Sequence, residues 1–186
     1  VTDMPYKPGD ESPFRIYKPR RDIVGIFNWD SSEKKFDYPL DRLGLDAKTE
    51  YVAFDYWQNK LIPSVKSRLQ ITLPAESCAV LALRPVVNHP QVISTSRHVT
   101  QGMVDVLGEQ WDDAAKGLDG RSNVVGGDVY ELRIVTGAGS RAVRVYFSQM
   151  DAAAGVKGSF TQDGQLVRVK IESPSSREVI WAVDFK

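Results

Sequence analysis

The sequence predicts an all-β fold made of two antiparallel β-sandwich modules packed in tandem, and three observations support it. Apolar and polar residues alternate along many short segments, which is the pattern of strands with one buried face. Turn-forming residues separate these segments at intervals of roughly 8–12 residues, as is typical of a sandwich. The length of 186 residues is enough for two small domains of about 100 residues each.

Four segments of the first half have the composition of strands: 23–29, 50–57, 67–73 and 78–83. In the second of these segments, Val52, Phe54 and Tyr56 share one face because side chains alternate along a strand. The segment 78–83 is almost continuously apolar, which favours a strand buried on both faces. The expected core of this module has these members: Ile26, Val52, Phe54, Leu69, Ile71, Leu81 and Leu83.

The second half continues in the same way, with strand-like segments at 129–135, 142–147, 156–161, 166–171 and 178–185. The dipeptide Asp163-Gly164 between the third and fourth of these is a strong hairpin signal. The half therefore contains enough strands for a second sandwich.

The segment from Met103 to Leu118 is ambiguous, because its apolar residues also fit helical spacing. Gly108 and Gly117 each disfavour a helix by roughly 1 kcal/mol relative to alanine, so we predict a strand plus a loop. The connection between the modules is expected between Pro85 and Gly102. We therefore divide the chain into a first module, residues 1–95, and a second module, residues 96–186.

Composition excludes several classes of protein. Lys plus Arg and Asp plus Glu both number 24, so no basic field favours nucleic acid as a partner. No apolar run approaches the ~20 residues that cross a bilayer. Cys78 is the only cysteine, which rules out an internal disulfide and a cysteine-based zinc site. The polar start, without a signal peptide or an initiator methionine, favours a piece of a longer protein or a processed chain.

No residue pattern predicts a catalytic, metal or cofactor site. Asp112 and Asp113 are adjacent, so their side chains would point apart on a strand, and Asp55 has the setting of a structural carboxylate near a strand end. The two histidines, His89 and His98, have no metal-binding spacing. We therefore expect no catalytic residues, no metal ligands and no cofactor.

Aromatic residues that are exposed are candidates for stacking on a ligand. Trp111 lies between polar neighbours and is the tryptophan expected to be exposed, followed by Phe36 and Tyr38 in a charged stretch. The other three tryptophans lie in predicted strands and are expected in the core: Trp29, Trp57 and Trp181.

Several motifs of the first half occur in a familiar order, from Phe27-Asn28 through Leu43-Gly44-Leu45 and Asp55-Tyr56-Trp57 to Leu73-Pro74 and the apolar run 80–83. Over roughly residues 14–85 the chain resembles the C-terminal β-sandwich of α-galactosidases (melibiases) and related α-glycosidases. The part from about residue 86 onward resembles a further β-module of some bacterial glycoside hydrolases.

This resemblance implies a non-catalytic C-terminal accessory region of a glycoside hydrolase, whose partner is a catalytic (β/α)8 barrel of the same parent protein. Such a barrel needs roughly 250 residues, so this chain is too short to contain one. A secreted or periplasmic location in a bacterium would follow. Two alternatives remain, a carbohydrate-binding module, in which the C–H face of a sugar would stack on Trp111, Tyr38 or Phe36, and a protein-interaction β-sandwich. Where the barrel packs, we expect an apolar patch from these residues: Met4, Tyr6, Phe14, Phe36 and Tyr38.

Overall fold

The computed structural model describes residues 19–186 and confirms the all-β prediction. This part of the chain forms fourteen strands, which are arranged in one six-stranded and two four-stranded sheets. Every strand pair within them is antiparallel. None of the helices in the described residues is long and apolar enough to span a membrane.

The six-stranded sheet takes up the first half of the described chain. Its strands are β1 (Asp22–Asn28), β2 (Lys34–Pro39), β3 (Glu50–Asp55), β4 (Lys60–Lys66), β5 (Arg68–Leu73) and β6 (Ser77–Pro85), in the order β1-β6-β3-β4-β5-β2. Strands β4 and β5 pair only through the two residues on either side of Ser67, whose φ of 55° marks a sharp turn. Beyond this turn the sheet folds over itself, so that Leu69 of β5 and Leu81 of β6 share one core.

Strand β3 is buried on both of its faces. Tyr51 and Ala53 point into the core of the six-stranded sheet. Val52 and Phe54 point the other way, into a separate apolar cluster with Ile93 and with residues 135 and 166 of the second half. Of the predicted core, Val52 and Phe54 therefore belong to the contact between the two halves. Ile71 is only partly buried, and the remaining members lie in the expected core.

Two four-stranded sheets form the second sandwich. Its strands are β7 (Gln91–Thr95), β8 (Val106–Asp112), β9 (Gly117–Val124), β10 (Tyr130–Val135), β11 (Ala142–Phe147), β12 (Lys157–Asp163), β13 (Leu166–Glu172) and β14 (Arg177–Phe185), with one short helix, α1 (Gln149–Ala153), between β11 and β12. The sheet orders are β12-β13-β10-β7 and β11-β14-β9-β8. Both sheets contribute to a single apolar core, and the predicted hairpin joins β12 to β13.

Trp181 is the centre of this second core and is fully buried, as predicted. Its indole N–H donates to the hydroxyl of Ser122 at 2.9 Å, and that hydroxyl lies 3.2 Å from the hydroxyl of Tyr130, which donates to Asp105. A Cβ atom at Gly120 would lie only 2.1 Å from the Trp181 ring. Only glycine therefore lets β9 pass this closely under the indole.

The region between Pro85 and Leu118 shows what the sequence pattern missed. Strand β7 pairs with β10, so residues 91–95 join a sheet of the second sandwich, whereas the first predicted module extended to residue 95. The division of the chain into two domains at this point stays a prediction. In the ambiguous segment, β8 is followed by a turn and by the start of β9, which confirms a strand plus a loop.

Replacing Phe54 by alanine is expected to destabilise the protein by about 3–5 kcal/mol, because it opens a cavity in a fully buried apolar cluster. Chemical denaturation followed by circular dichroism measures this change. The control is Trp57→Ala, three residues further on, where the exposed ring (60%) predicts an effect within about 0.5 kcal/mol. Equal effects of the two substitutions would contradict the assigned orientation of β3.

Candidate functional site

Phe36 and Tyr38, two of the three predicted sugar contacts, lie together on strand β2. Their rings stack with centroids 6.1 Å apart, and both side chains pack partly against the first core. The ammonium group of Lys34 lies 5.7 Å from the centre of the Phe36 ring. Much of the surface of these rings is therefore already in contact with protein.

Trp111, the third predicted contact, lies on β8 in a different sheet and is half-buried. The imidazole of His89 stacks parallel to its indole at 5.6 Å, and the Phe185 ring meets it edge-on at 6.0 Å. Its indole N–H lies 3.4 Å from a carboxylate oxygen of Asp113. The structure thus does not bring Trp111 together with Phe36 and Tyr38, and a sugar contact at any of the three remains a prediction.

The most exposed aromatic rings are instead two that were predicted for the core, and this prediction is wrong. Trp29 is 82% exposed and Trp57 is 60% exposed. Trp29 stacks on the half-exposed Phe27 with ring centroids 5.5 Å apart and planes within 4°. Trp57 meets Tyr56 edge-on at 5.0 Å. We call these four residues the aromatic patch.

The strand order explains why both pairs lie at the same end of the six-stranded sheet. Strands β1 and β3 flank β6 and are both antiparallel to it, so their carboxyl ends meet at one edge. Phe27 is opposite Cys78, and the amide of Tyr56 donates to the carbonyl of Val80. Because residues 78 and 80 share a face, Phe27 and Tyr56 project from the same side of the sheet, opposite to its core.

The carboxylates considered at the sequence level are engaged in local structure. Asp55 is buried, and its Oδ1 accepts hydrogen bonds from the amides of Trp57 and Gln58 at 3.0 and 3.1 Å. Asp112 accepts from two amides of the following turn, and Asp113 pairs with Lys116 at 2.8 Å. The hydrogen bond from Lys116 holds the pKa of Asp113 below its usual range.

Neither histidine has the surroundings of a metal ligand. His89 stacks on Trp111, and Nδ1 of His98 lies 3.0 Å from the Thr100 hydroxyl. Within residues 19–186, no group of three or more His, Cys, Asp or Glu side chains is placed to hold a metal ion.

A buried ionic cluster joins the two halves and was not found by sequence reasoning. Arg21, just before β1, and Arg84, in β6, both approach Glu109 of β8. Arg84 forms a short hydrogen bond with Glu109, and Nη2 of Arg21 is 3.7 Å from the other carboxylate oxygen. All three side chains are more than nine-tenths buried.

Strand β7 is held by the same cluster. Both arginines donate to the Val92 carbonyl, at 2.7 and 2.6 Å, and the Val92 amide donates to Glu109. Burial lowers the pKa of Arg21, while the charge of Glu109 opposes this effect. The sequence signal for this cluster is weak, since it consists of an arginine that directly follows the apolar run 78–83.

A second polar contact crosses the junction from the other side. The guanidinium of Arg168 on β13 donates to the side chain and carbonyl of Asn59 at 2.8 and 2.9 Å. It also donates to Glu131 at 2.8 Å, and Glu131 in turn accepts from Arg133. The Arg133 guanidinium lies 4.8 Å from the centre of the Phe54 ring, so charged groups cover the edge of the apolar contact.

Comparison with known families finds a match over the first of the two sandwiches. The family described as the alpha galactosidase C-terminal beta sandwich domain matches residues 20–83. This range contains β1 to β5 and most of β6, that is, the six-stranded sheet. The resemblance drawn from the sequence motifs is confirmed over these residues. No curated protein matches the chain.

Glu109→Gln is expected to lower the free energy of unfolding by about 3–5 kcal/mol, because it leaves two buried guanidinium groups without their shared anion. Urea denaturation measures the difference. The matched control is Glu178→Gln, whose partner Arg121 lies at 2.9 Å in a much more exposed pair, and it should cost no more than about 1 kcal/mol. Indistinguishable losses would show that the cluster does not hold the halves together.

Proposed function

We propose that this chain is a non-catalytic C-terminal accessory region of an α-galactosidase-like glycoside hydrolase and that it packs against the catalytic barrel of its parent protein. The observation that carries the proposal is the family match over residues 20–83. The matched residues form a six-stranded sheet that encloses its own core. This is the expected organisation of a structural unit. In keeping with this role, the parent protein would be a secreted or periplasmic bacterial enzyme.

The surface that we assign to the barrel contact is the aromatic patch. An indole that is 82% exposed is costly to keep in water, and exposed apolar clusters are typical of surfaces that another protein covers. The patch projects from the same side of the sheet as Phe54, which the second sandwich already covers. A catalytic domain seated there would extend this existing contact. The residues expected earlier for this role, Met4, Tyr6 and Phe14, lie outside the described residues.

A carbohydrate-binding module is the second candidate function, and the stacked pair Phe27 and Trp29 is the observation that favours it. The outer face of the Trp29 ring is free for the C–H face of a sugar, and Phe27 holds the ring in position. Strand β1 also lies at an edge of its sheet, which favours the third alternative, protein interaction through an added strand.

The isolated chain is expected to be catalytically inert. Assays against aryl α- and β-glycosides should show no turnover, since Asp55, Asp112 and Asp113 are each committed to turns or ion pairs. The gene sequence that precedes Val1 should encode the alternating strand–helix pattern of a barrel over about 250 residues. Turnover that disappears when one carboxylate is replaced, or a preceding sequence without this pattern, would contradict the proposal.

Trp29→Ser is expected to reduce stability in the parent protein but not in the isolated chain. In the isolated chain it should change stability by less than about 0.5 kcal/mol, because the side chain makes few contacts. In the parent enzyme, which would have more than about 400 residues, it should lower the melting temperature by about 1 °C for each kcal/mol of lost contact.

Met150→Ser is the matched control, because that side chain is similarly exposed (78%) but lies on α1 of the second sandwich. It should be neutral in both proteins. If Trp29→Ser leaves the parent enzyme unchanged but abolishes binding of soluble oligosaccharides, the carbohydrate-binding function replaces the packing function.

A further inference from the structure

We propose that the solvent-facing side of strands β12, β13 and β10 holds a binding site for an oxyanion of the phosphate or sulfate class. The site is a groove of about 320 Å³, which is within the ~300–1,000 Å³ range of small-molecule sites. We call it the anion groove and define it by these lining residues: Asn59, Glu131, Ser159, Thr161, Arg168 and Lys170. This inference does not depend on the proposed packing against a barrel, because the aromatic patch contributes no residue to the groove.

The charge that favours an anion comes first from two arginines on neighbouring strands. Arg168 of β13 and Arg133 of β10 are directly opposite each other in the register, which is unfavourable for like charges. Nη1 of Arg168 and Nε of Arg133 share a single acceptor, since both donate to Oε1 of Glu131, at 2.8 and 2.9 Å. Burial lowers the pKa of Arg133, and the charge of Arg168 acts in the same direction. The two guanidinium groups therefore keep an excess of positive charge.

Lys170 adds a third positive charge and, with two hydroxyl groups, the accessible donors of the groove. It is exposed and lies two residues beyond Arg168, on the same face of β13. Lys170 is opposite Glu131 in the register, but within residues 19–186 its ammonium group forms no ion pair. On β12, the exposed hydroxyls of Ser159 and Thr161 have no hydrogen-bond partner among the same residues. An ammonium group and two hydroxyl groups can thus donate to the oxygens of an anion.

The surroundings of the groove do not cancel this excess of positive charge. In the next row of the sheet, Lys157 and Glu172 are directly opposite each other, so their charges balance. The side chain and carbonyl of Asn59 accept from Arg168 at 2.8 and 2.9 Å, which fixes the guanidinium group without neutralising it. Three positive groups therefore remain against one carboxylate. An oxyanion gains charge-assisted hydrogen bonds in this setting, whereas a neutral ligand does not.

The test is an NMR titration of the complete chain, at constant ionic strength, with sodium sulfate, sodium phosphate, glucose 6-phosphate and, as the neutral control, glucose. The reporters are the backbone amide signals of Ser159, Thr161 and Lys170. We expect saturable shifts with at least one of the three anions at a dissociation constant of about 1–10 mM, because the donors are exposed to solvent. Tighter binding of glucose 6-phosphate than of inorganic phosphate would identify an ester as the ligand, and the reverse would identify the free ion.

Two variants locate the site, and a third is their control. Lys170→Gln removes the charge but keeps most of the side-chain length, and it should weaken anion binding at least about fivefold. Thr161→Val removes a hydroxyl from the neighbouring strand without changing the net charge, and it should also weaken binding. Lys35→Gln changes the net charge as Lys170→Gln does, but at an exposed position on β2 of the first sandwich, and it should leave the affinity unchanged.

Three results would overturn the proposal. The first is the absence of a saturable shift at these amides with all three anions. The second is binding of glucose as tightly as glucose 6-phosphate, because the anionic group would then contribute nothing. The third is an equal effect of Lys170→Gln and Lys35→Gln on the affinity, because the anion would then respond only to the net charge of the chain.

Discussion

Glu109 is the residue on which the arrangement of the two sandwiches depends. Two arginines of the first sandwich and one strand of the second converge on its carboxylate. A charge that is removed from water is strongly unfavourable unless it stays paired with an opposite charge. If the two halves separated or slid past each other, a buried guanidinium group would lose its partner, and this would cost free energy. Such a cluster adds little net stability compared with an apolar contact of the same size, but it permits few alternative geometries.

The fixed junction determines which surfaces remain free. Phe54 and Ile93 occupy the apolar centre of the contact, and Arg133 and Arg168 cover its edge. The contact covers only part of the outer face of the six-stranded sheet. At the uncovered end, Phe27 of β1 and Trp29, just beyond this strand, are exposed to solvent. The covered apolar contact and the exposed aromatic patch thus both follow from one packing arrangement.

The candidate sites show where alternation loses its predictive power. Trp29 and Trp57 lie one and two residues beyond the ends of their strands, where the two-residue period no longer assigns a side chain to the core. Val52 and Phe54 lie on a strand whose two faces are both apolar. The local sequence indicates that such a residue is buried, but it does not indicate which residues it packs against. Arg84 and Glu109 are more than 20 residues apart, and nothing in the local sequence of either predicts that they meet.

The residues alone were sufficient for the all-β class, for nine of the strands, for the hairpin at Gly164 and for the family resemblance of residues 20–83, because these depend on short-range periodicity and ordered motifs. Strands β2, β4, β7 and β9 were missed, since edge positions, prolines, glycines and polar residues weaken the alternating pattern. Only the tertiary structure showed that β7 belongs to the second sandwich, that Trp29 and Trp57 are exposed to solvent, and that the ionic cluster forms. The position of β7, the exposure of the tryptophans and the ionic cluster all depend on contacts between segments that are distant in sequence. The free energies of packing and desolvation that determine such contacts arise only when both segments are folded.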